Sequence, residues 1–183
     1  MKWDYEFDVV VVGSGNGALT AALCSHDGGA KTLVIEKSDQ FGGTSATSGG
    51  GVWIPNNRYA KAENVDDSTE DARDYINSVS PAGKIKDELV ETYLSEAPKM
   101  IDYLHENSQV KYRNLAHYPD YFPDNPGGKA GNRSMEPEPI YGTKLGKDLG
   151  KLREQHPQTA FTMGPINMNF TQVEGQLLLG ALP

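Results

Sequence analysis

The sequence predicts an α/β fold organised on a parallel sheet, and three observations carry the prediction. Two short apolar runs, Asp8-Val9-Val10-Val11-Val12 and Thr32-Leu33-Val34-Ile35, have the length and β-branched content of strands buried on both faces. Between them lies a glycine turn followed by a small-residue segment, long enough to return the chain as a crossover helix. The second run ends on a carboxylate, Glu36, roughly 20 residues after the turn.

The turn itself, Gly13-Ser14-Gly15-Asn16-Gly17-Ala18, has the G-x-G-x-x-A form of the dinucleotide fingerprint. Gly13 supplies the tight turn out of the first strand. Gly15 has no Cβ, so the backbone can approach a pyrophosphate whose charge then faces the first amides of the helix. Ala18 is small enough for that helix to lie close on the strand. Glu36 stands where a carboxylate accepts hydrogen bonds from a ribose diol, and it disfavours a 2′-phosphate, which would want an arginine. Cys24, among Ala21, Ala22 and Leu23, reads as a small buried thiol. The strand, helix, second strand and acidic terminus predict a Rossmann-like fold that binds an adenine dinucleotide.

A second glycine cluster follows Glu36-Lys37. Phe41-Gly42-Gly43-Thr44-Ser45-Ala46-Thr47-Ser48-Gly49-Gly50-Gly51 is too rich in glycine and hydroxyls for a packed strand or a stable helix. It can wrap a long polar cofactor, with Thr44, Ser45 and Ser48 offering hydrogen bonds to phosphate or ribityl oxygens. An extended FAD makes that demand and NAD makes less of it. Trp53-Ile54-Pro55 closes the stretch with bulk that is costly to leave in water.

Residues 1–60 are thus expected to form the dinucleotide-binding core, 61–116 a mainly helical insertion, and 117–183 a loop-rich segment that ends mid-domain. Ser68-Thr69-Glu70-Asp71 reads as a capped helix start ahead of Ala72 to Val79. From Lys86 to Asn107, Leu89, Tyr93, Ala97, Met100, Ile101 and Leu104 recur at helical spacing, so an amphipathic helix bent near Pro98 is expected. Val110-Lys111-Tyr112-Arg113 reads as a short strand. Residues 117–143 carry Pro119, Pro123, Pro126, Pro137 and Pro139, too many for regular structure. Thr143 to Gln155 reads as a short charged helix and Gln172 to Leu182 as an apolar segment.

Gly13-Ser14-Gly15, Glu36-Lys37, Phe41-Gly42-Gly43-Thr44-Ser45-Ala46, Ser48-Gly49 and Trp53-Ile54-Pro55 resemble the opening of the FAD-dependent 3-ketosteroid 1-dehydrogenases. These belong to the wider fumarate reductase and succinate dehydrogenase flavoprotein superfamily. His117-Tyr118-Pro119-Asp120-Tyr121-Phe122-Pro123, Pro126-Gly127-Gly128 and Gly131-Asn132-Arg133-Ser134 resemble that family's Pro-Asp-Tyr and Gly-Arg-Ser pattern. The resemblance implies a glutathione-reductase-like FAD-binding domain with non-covalent FAD, held by Gly13, Ser14, Gly15, Gly17, Ala18, Glu36, Lys37, Gly42, Gly43, Thr44, Ser45, Ser48, Gly49 and Gly50. It implies desaturation of a 3-ketosteroid at the 1,2 position, by proton removal alpha to the ketone and hydride transfer to flavin N5. Tyr121 matches a tyrosine that supports a second tyrosine as base. That partner, the ketone-polarising groups and the substrate-covering domain would lie outside this chain, in the remaining polypeptide or a partner chain. Tyr118, Phe122 and Trp53 are weaker candidates for lining a sterol slot. Two alternatives stand beside this reading: a fumarate-reductase-like flavoprotein acting on an unsaturated acid, and a truncated FAD-binding fragment with no activity of its own.

Composition narrows the rest. Twenty glycines in 183 residues is about 11%, against a usual value near 7%, and the excess sits in the two cofactor clusters and near residue 127. A net charge of −8 with no basic cluster argues against nucleic acid and anionic membrane surfaces. One cysteine excludes an internal disulfide framework and suits a reducing compartment, so a cytoplasmic protein without an integral membrane segment is expected. No Cys or His spacing suggests a metal, and the four histidines read as surface or loop residues. The small-molecule substrate is a steroid by resemblance; the electron acceptor is open.

Overall fold

A computed structural model of the chain describes residues 2–154 together with the backbone of Thr162–Met163 and Ile166–Asn167. It divides into two compact units, Met1–Gly50 with Ile140–Pro183, and Gly51–Pro139.

In the first unit, β1 (Val9–Val12) and β2 (Thr32–Ile35) pair in parallel, with Val9 opposite Thr32 and Val12 opposite Ile35. The crossover between them is α1 (Asn16–Asp27), as the motif spacing predicts. The Gly13 amide donates to the Ile35 carbonyl at 2.7 Å, so the ladder continues into the glycine turn. The expected burial on both faces is not met: Val11 is in the core, but Val10 is 51% and Val12 78% exposed. Among the described residues this sheet has two strands and one helix, which covers a single face. Cys24 is likewise exposed rather than buried, while its neighbours Ala22 and Leu23 are half-buried. The charged stretch expected as a helix is a 3-10 segment, Gly142–Lys151, broken at Gly146 by a positive φ of 55°. Phe41 pairs with this segment through Phe41 N–H to Lys151 and Arg153 N–H to Phe41, both at 2.9 Å. A further pair, β6 (Thr162–Met163) and β7 (Ile166–Asn167), is antiparallel. The apolar segment Gln172 to Leu182 lies outside the described residues, as does His156.

The second unit is built on a three-stranded antiparallel sheet in the order β3 (Val52–Trp53), β5 (Ser134–Pro137), β4 (Tyr112–Asn114). The glycine-rich stretch therefore does end in a short strand. The proline-rich tract also contains one, because Pro137 occupies the last position of β5, where a missing N–H costs least. Three helices surround the sheet sequence: α2 (Arg58–Ala62), α3 (Thr69–Val79) and α4 (Asp87–Asn107). Ser68 caps α3 as expected, its Oγ accepting from the Asp71 amide at 3.0 Å. Helix α4 continues through Pro98. Its buried stripe is Val90, Leu94, Ala97, Ile101 and Leu104; of the two residues assigned to that face from sequence and absent from the stripe, Leu89 is exposed and Tyr93 keeps 38% exposure while its ring stacks on Trp53. Both choices have helical spacing, so periodicity alone left the face ambiguous by one residue. Ile54, Ala97, Ile101, Tyr112 and Met135 form the main core, and Ala72, Val90 and Leu94 a second cluster. His105 is a ring partner in this unit, its Nδ1 2.9 Å from the Tyr59 hydroxyl.

Candidate functional site

The first unit brings both glycine clusters to the N-terminus of α1. Gly13 adopts φ 99°, a left-handed conformation that makes glycine necessary at the turn. Gly15 is the N-cap of α1, and a Cβ there would stand 3.4 Å from Ser45 Oγ. Gly43, at φ 55°, lies so that its own Cβ would meet the Gly15 nitrogen at 3.4 Å. Gly42 is also left-handed, at φ 109°, and a Cβ would collide with the Ala46 side chain at 2.6 Å. The two clusters are thus packed backbone to backbone.

Ser14, only 3% exposed, ties three segments together. Its hydroxyl donates to Glu36 Oε2 at 2.6 Å and accepts from the Gly42 amide at 2.9 Å. The other Glu36 oxygen accepts from the Ser38 amide at 3.1 Å. These bonds, the Ser14 hydroxyl first, hold the Glu36 carboxyl below its ordinary range, so it is ionised at neutral pH. The Ser14 hydroxyl is thus bound to the residue expected to grip the ribose.

Ser45 Oγ accepts from the Asn16 amide at 3.0 Å, at the mouth of the helix. Helix α1 has no acidic residue in its first turn and no capping side chain of its own, so its positive end is left for an anion. Gly13 and Gly17 each have open space where a Cβ would be. Ala18 is half-buried in the first turn, whereas Lys37, Thr44, Ser48 and Gly49 are exposed. Ser48 Oγ accepts from the amide of Gly50, which is left-handed at φ 74°. An open glycine turn, a helix N-terminus with no acidic residue in its first turn, a row of hydroxyls and an ionised carboxylate at the second strand fit an adenine dinucleotide.

The second unit holds the loop of residues 117–133. Tyr121 is 85% exposed, so it is not packed on Pro119 and Pro123. Its neighbours are fixed. The Asp120 amide donates to the Lys129 carbonyl and the Lys129 amide returns to Asp120 Oδ2, both at 3.0 Å. The Phe122 amide donates to the Tyr75 hydroxyl at 3.3 Å. Three glycines bind this loop to other backbone: a Cβ on Gly127 would lie 1.9 Å from the Asp71 carbonyl oxygen, on Gly128 2.4 Å from that of Pro123, and on Gly131 1.9 Å from that of Ala116.

Beneath the loop lies a charged cluster that sequence reasoning did not assemble. Arg133, 1% exposed, donates through Nη2 to Asp67 Oδ1 at 2.7 Å and through Nη1 to Asp120 Oδ2 at 3.0 Å. Its Nη1 also reaches the Gly127 carbonyl at 2.9 Å. The Trp53 indole N–H donates to Asp120 Oδ1 at 2.6 Å. Trp53 is stacked on Tyr93 and the guanidinium lies 5.6 Å from the indole ring, so Trp53 is committed to the interior of this unit. The Tyr93 hydroxyl donates to the Trp53 carbonyl, and burial pushes its pKa up to about 12, which keeps it protonated. Phe122 is exposed beside Tyr121.

Residues 8–173 match the family described as FAD binding domain. The chain belongs to this family. FAD is accordingly the cofactor that the cradle serves. The crystal structure of 3-ketosteroid delta1-dehydrogenase from Sterolibacterium denitrificans, in complex with 1,4-androstadiene-3,17-dione, is 41% identical with a TM-score of 0.84. The match covers 97% of this chain and 30% of that one. The 3-oxosteroid 1-dehydrogenase of Mycobacterium tuberculosis is 41% identical over 164 residues, 89% of this chain and 28% of the relative. A 4-oxocyclohexanecarboxylate 2-dehydrogenase of Sinomonas cyclohexanicum is 37% identical over 86% of this chain and 27% of its own length. The chain therefore spans somewhat under a third of the relatives it matches. Among the described residues no helix is long and apolar enough to cross a membrane, and no group of His, Cys, Asp or Glu could hold a metal ion.

Proposed function

We propose that the protein carrying this chain is a FAD-dependent dehydrogenase that introduces a 1,2 double bond into a 3-ketosteroid. The observation that carries the reading is Tyr121, an exposed phenol on a fixed loop, in a chain whose folded relatives include a steroid dehydrogenase of the same local sequence pattern. Bound FAD supplies the hydride acceptor. The chain's own part is to hold the cofactor and to contribute one hydroxyl to proton removal. Glu36 grips the adenosine ribose and is oriented by Ser14. The α1 N-terminus, with Gly13, Gly15, Gly17 and Ala18, seats the pyrophosphate. Gly42, Gly43, Thr44, Ser45, Ser48, Gly49 and Gly50 line the cofactor's course, and Lys37 lies at its margin.

Removing a proton alpha to the ketone requires a base, and a phenolate serves when a neighbouring hydroxyl stabilises it. Tyr121 is the hydroxyl in that role, supporting a second tyrosine from the polypeptide outside this chain. Phe122 and Tyr118 are the weaker candidates for touching the sterol. Trp53 is engaged with Asp120 and Tyr93 and so helps to fix the loop. The unsaturated-acid alternative is the less favoured reading, since the relatives above are named for ring ketones. The single cysteine suits a reducing, cytoplasmic compartment.

The test is turnover of a 3-keto-4-ene steroid with an artificial electron acceptor, beside 4-oxocyclohexanecarboxylate as the competing ring ketone. Tyr121→Phe removes one oxygen and keeps the ring. It should retain FAD and steroid binding while lowering turnover by on the order of 10- to 1000-fold. Full turnover by Tyr121→Phe removes the residue from the mechanism, and turnover of the small ketone alone replaces the steroid.

A further inference from the structure

We propose that Arg133 and Asp120, with Asp67 and the Trp53 indole, are positioning residues for Tyr121. The inference rests on the reading that the Tyr121 hydroxyl acts in proton removal. The three short patterns that carry the family resemblance outside the cofactor clusters, Trp53-Ile54-Pro55, Pro119-Asp120-Tyr121 and Asn132-Arg133-Ser134, meet in one buried cluster through Trp53, Asp120 and Arg133.

The cluster holds one guanidinium and two carboxylates, with the Arg133, Asp67 and Asp120 side chains at 1%, 4% and 2% exposure. Burying three charges is a poor way to gain stability, since desolvation offsets most of the attraction and apolar side chains of the same volume would do as well. What the charges supply is direction. The planar guanidinium fixes Asp67, Asp120 and the Gly127 carbonyl relative to one another, and the Trp53 N–H fixes the second Asp120 oxygen. All the observed contacts of the Asp120 carboxylate, from Arg133, Trp53 and the Lys129 amide, thus set the backbone immediately before Tyr121. On the other side the Phe122 amide is held by the Tyr75 hydroxyl, and the guanidinium lies 5.8 Å from the Tyr75 ring. One arginine therefore braces both neighbours of Tyr121.

The ring so mounted is 85% exposed and adds no packing to the unit that carries it. A loop whose glycines press against other backbone, and whose aspartate is held on both oxygens, is built to present a side chain at one place. A misplacement of about 1 Å in a reacting group is enough to cost roughly 100-fold in rate.

The experiment is a double-mutant cycle in the complete, FAD-loaded protein. Asp120→Asn keeps the shape and removes the charge that Arg133 and Trp53 hold. Its expected result is a fall in turnover at saturating steroid of roughly 10- to 100-fold, with the FAD content and the KM little changed. In Asp120→Asn/Tyr121→Phe the loss should be no greater than in Tyr121→Phe alone, because the cluster acts only through that hydroxyl. Tryptophan emission should shift in Asp120→Asn, and the shift should vanish when Asp120→Asn is compared with its parent in a Trp53→Phe background, which assigns it to the changed partner of the Trp53 indole N–H. Should Asp120→Asn not fold, Trp53→Phe, which deletes one donor and keeps an aromatic ring, takes its place in the cycle. Losses that multiply in the double variant, or full turnover in the single one, overturn the proposal. A silent Tyr121→Phe overturns the catalytic reading first and the positioning role with it, so the two failures are told apart by which single variant is silent.

Discussion

Replacing Ser14 by alanine is the sharpest probe of the cofactor half of the structure, because one buried hydroxyl serves two segments at once. Its loss leaves the buried Gly42 amide without its 2.9 Å acceptor. An unsatisfied buried donor costs about 1–3 kcal/mol. The freed Glu36 oxygen faces water and is rehydrated, so its share is small. Where the cost appears depends on when the second glycine loop becomes ordered. If the loop is ordered without FAD, Ser14→Ala should lower Tm by several degrees and leave FAD affinity nearly intact. If FAD orders it, the same free energy should weaken FAD by roughly 5- to 150-fold. Titrating apoprotein with FAD by flavin fluorescence, beside thermal melts with and without FAD, separates the two. The acid limb adds an independent check. Glu36 has a lowered pKa, so its contribution is present above the ordinary carboxylate value of 4.5 and is lost only as pH falls through the lowered one. Without the Ser14 hydroxyl, the strongest cause of that lowering, FAD should be released at a higher pH than from the wild type. Wild-type melting, affinity and acid limb together in Ser14→Ala would refute the reasoning that makes Ser14 a junction.

Two further substitutions test the glycines by geometry. Gly15→Val puts a branched side chain beside Ser45 Oγ, 3.4 Å from where its Cβ begins, and should abolish FAD retention in an absorbance spectrum after reconstitution. Gly131→Ala drives a Cβ to 1.9 Å from the Ala116 carbonyl oxygen, where backbone must move, and should destabilise by about 1–3 kcal/mol or more in urea unfolding. Gly150→Ala, with nothing within 4 Å, is the control and should be close to neutral.

The parts of the fold that were legible are those with local causes. Val9–Val12, α1 and Thr32–Ile35 follow from two apolar runs and a turn that only glycine can make, and Ser68 declares the start of α3 by its hydroxyl. The face of α4 was legible in its second half, at Ala97, Ile101 and Leu104, and not in its first, because Leu89 and Tyr93 share helical spacing with the true stripe and the packing of Val90 and Leu94 on Ala72 and Ile76 of α3 decides between them. The strand at Ser134–Pro137 was hidden by the prolines around it, since a strand's last residue tolerates proline in a way that a count of prolines does not register. Burial of β1 was overestimated for a related reason. An apolar run announces that both faces want cover, yet the cover comes from elements far away in sequence, and among the described residues only one face has it.

The candidate site divides along the same line. Glycines and the Glu36 carboxylate advertise a cofactor because each has a steric or charge reason tied to its own position. Ser14 was read only as one of the residues that hold FAD, and its role as a link between Glu36 and Gly42 depends on a contact across 28 residues that no motif encodes. Arg133 is harder still, as an arginine in a polar tract is ordinarily a solvated surface residue. Its burial follows from two carboxylates, one 66 and one 13 residues distant, arriving on either side of the guanidinium. Asp67 gave no signal beyond standing before the cap of α3. The resemblance to steroid dehydrogenases had marked Trp53, Asp120 and Arg133 as separate words. In the folded chain they touch, and the Trp53 indole N–H is bound to Asp120. Among these patterns Tyr121 is the residue that pairs an ionisable group with 85% exposure, which is why we propose that the others are arranged to support its chemistry.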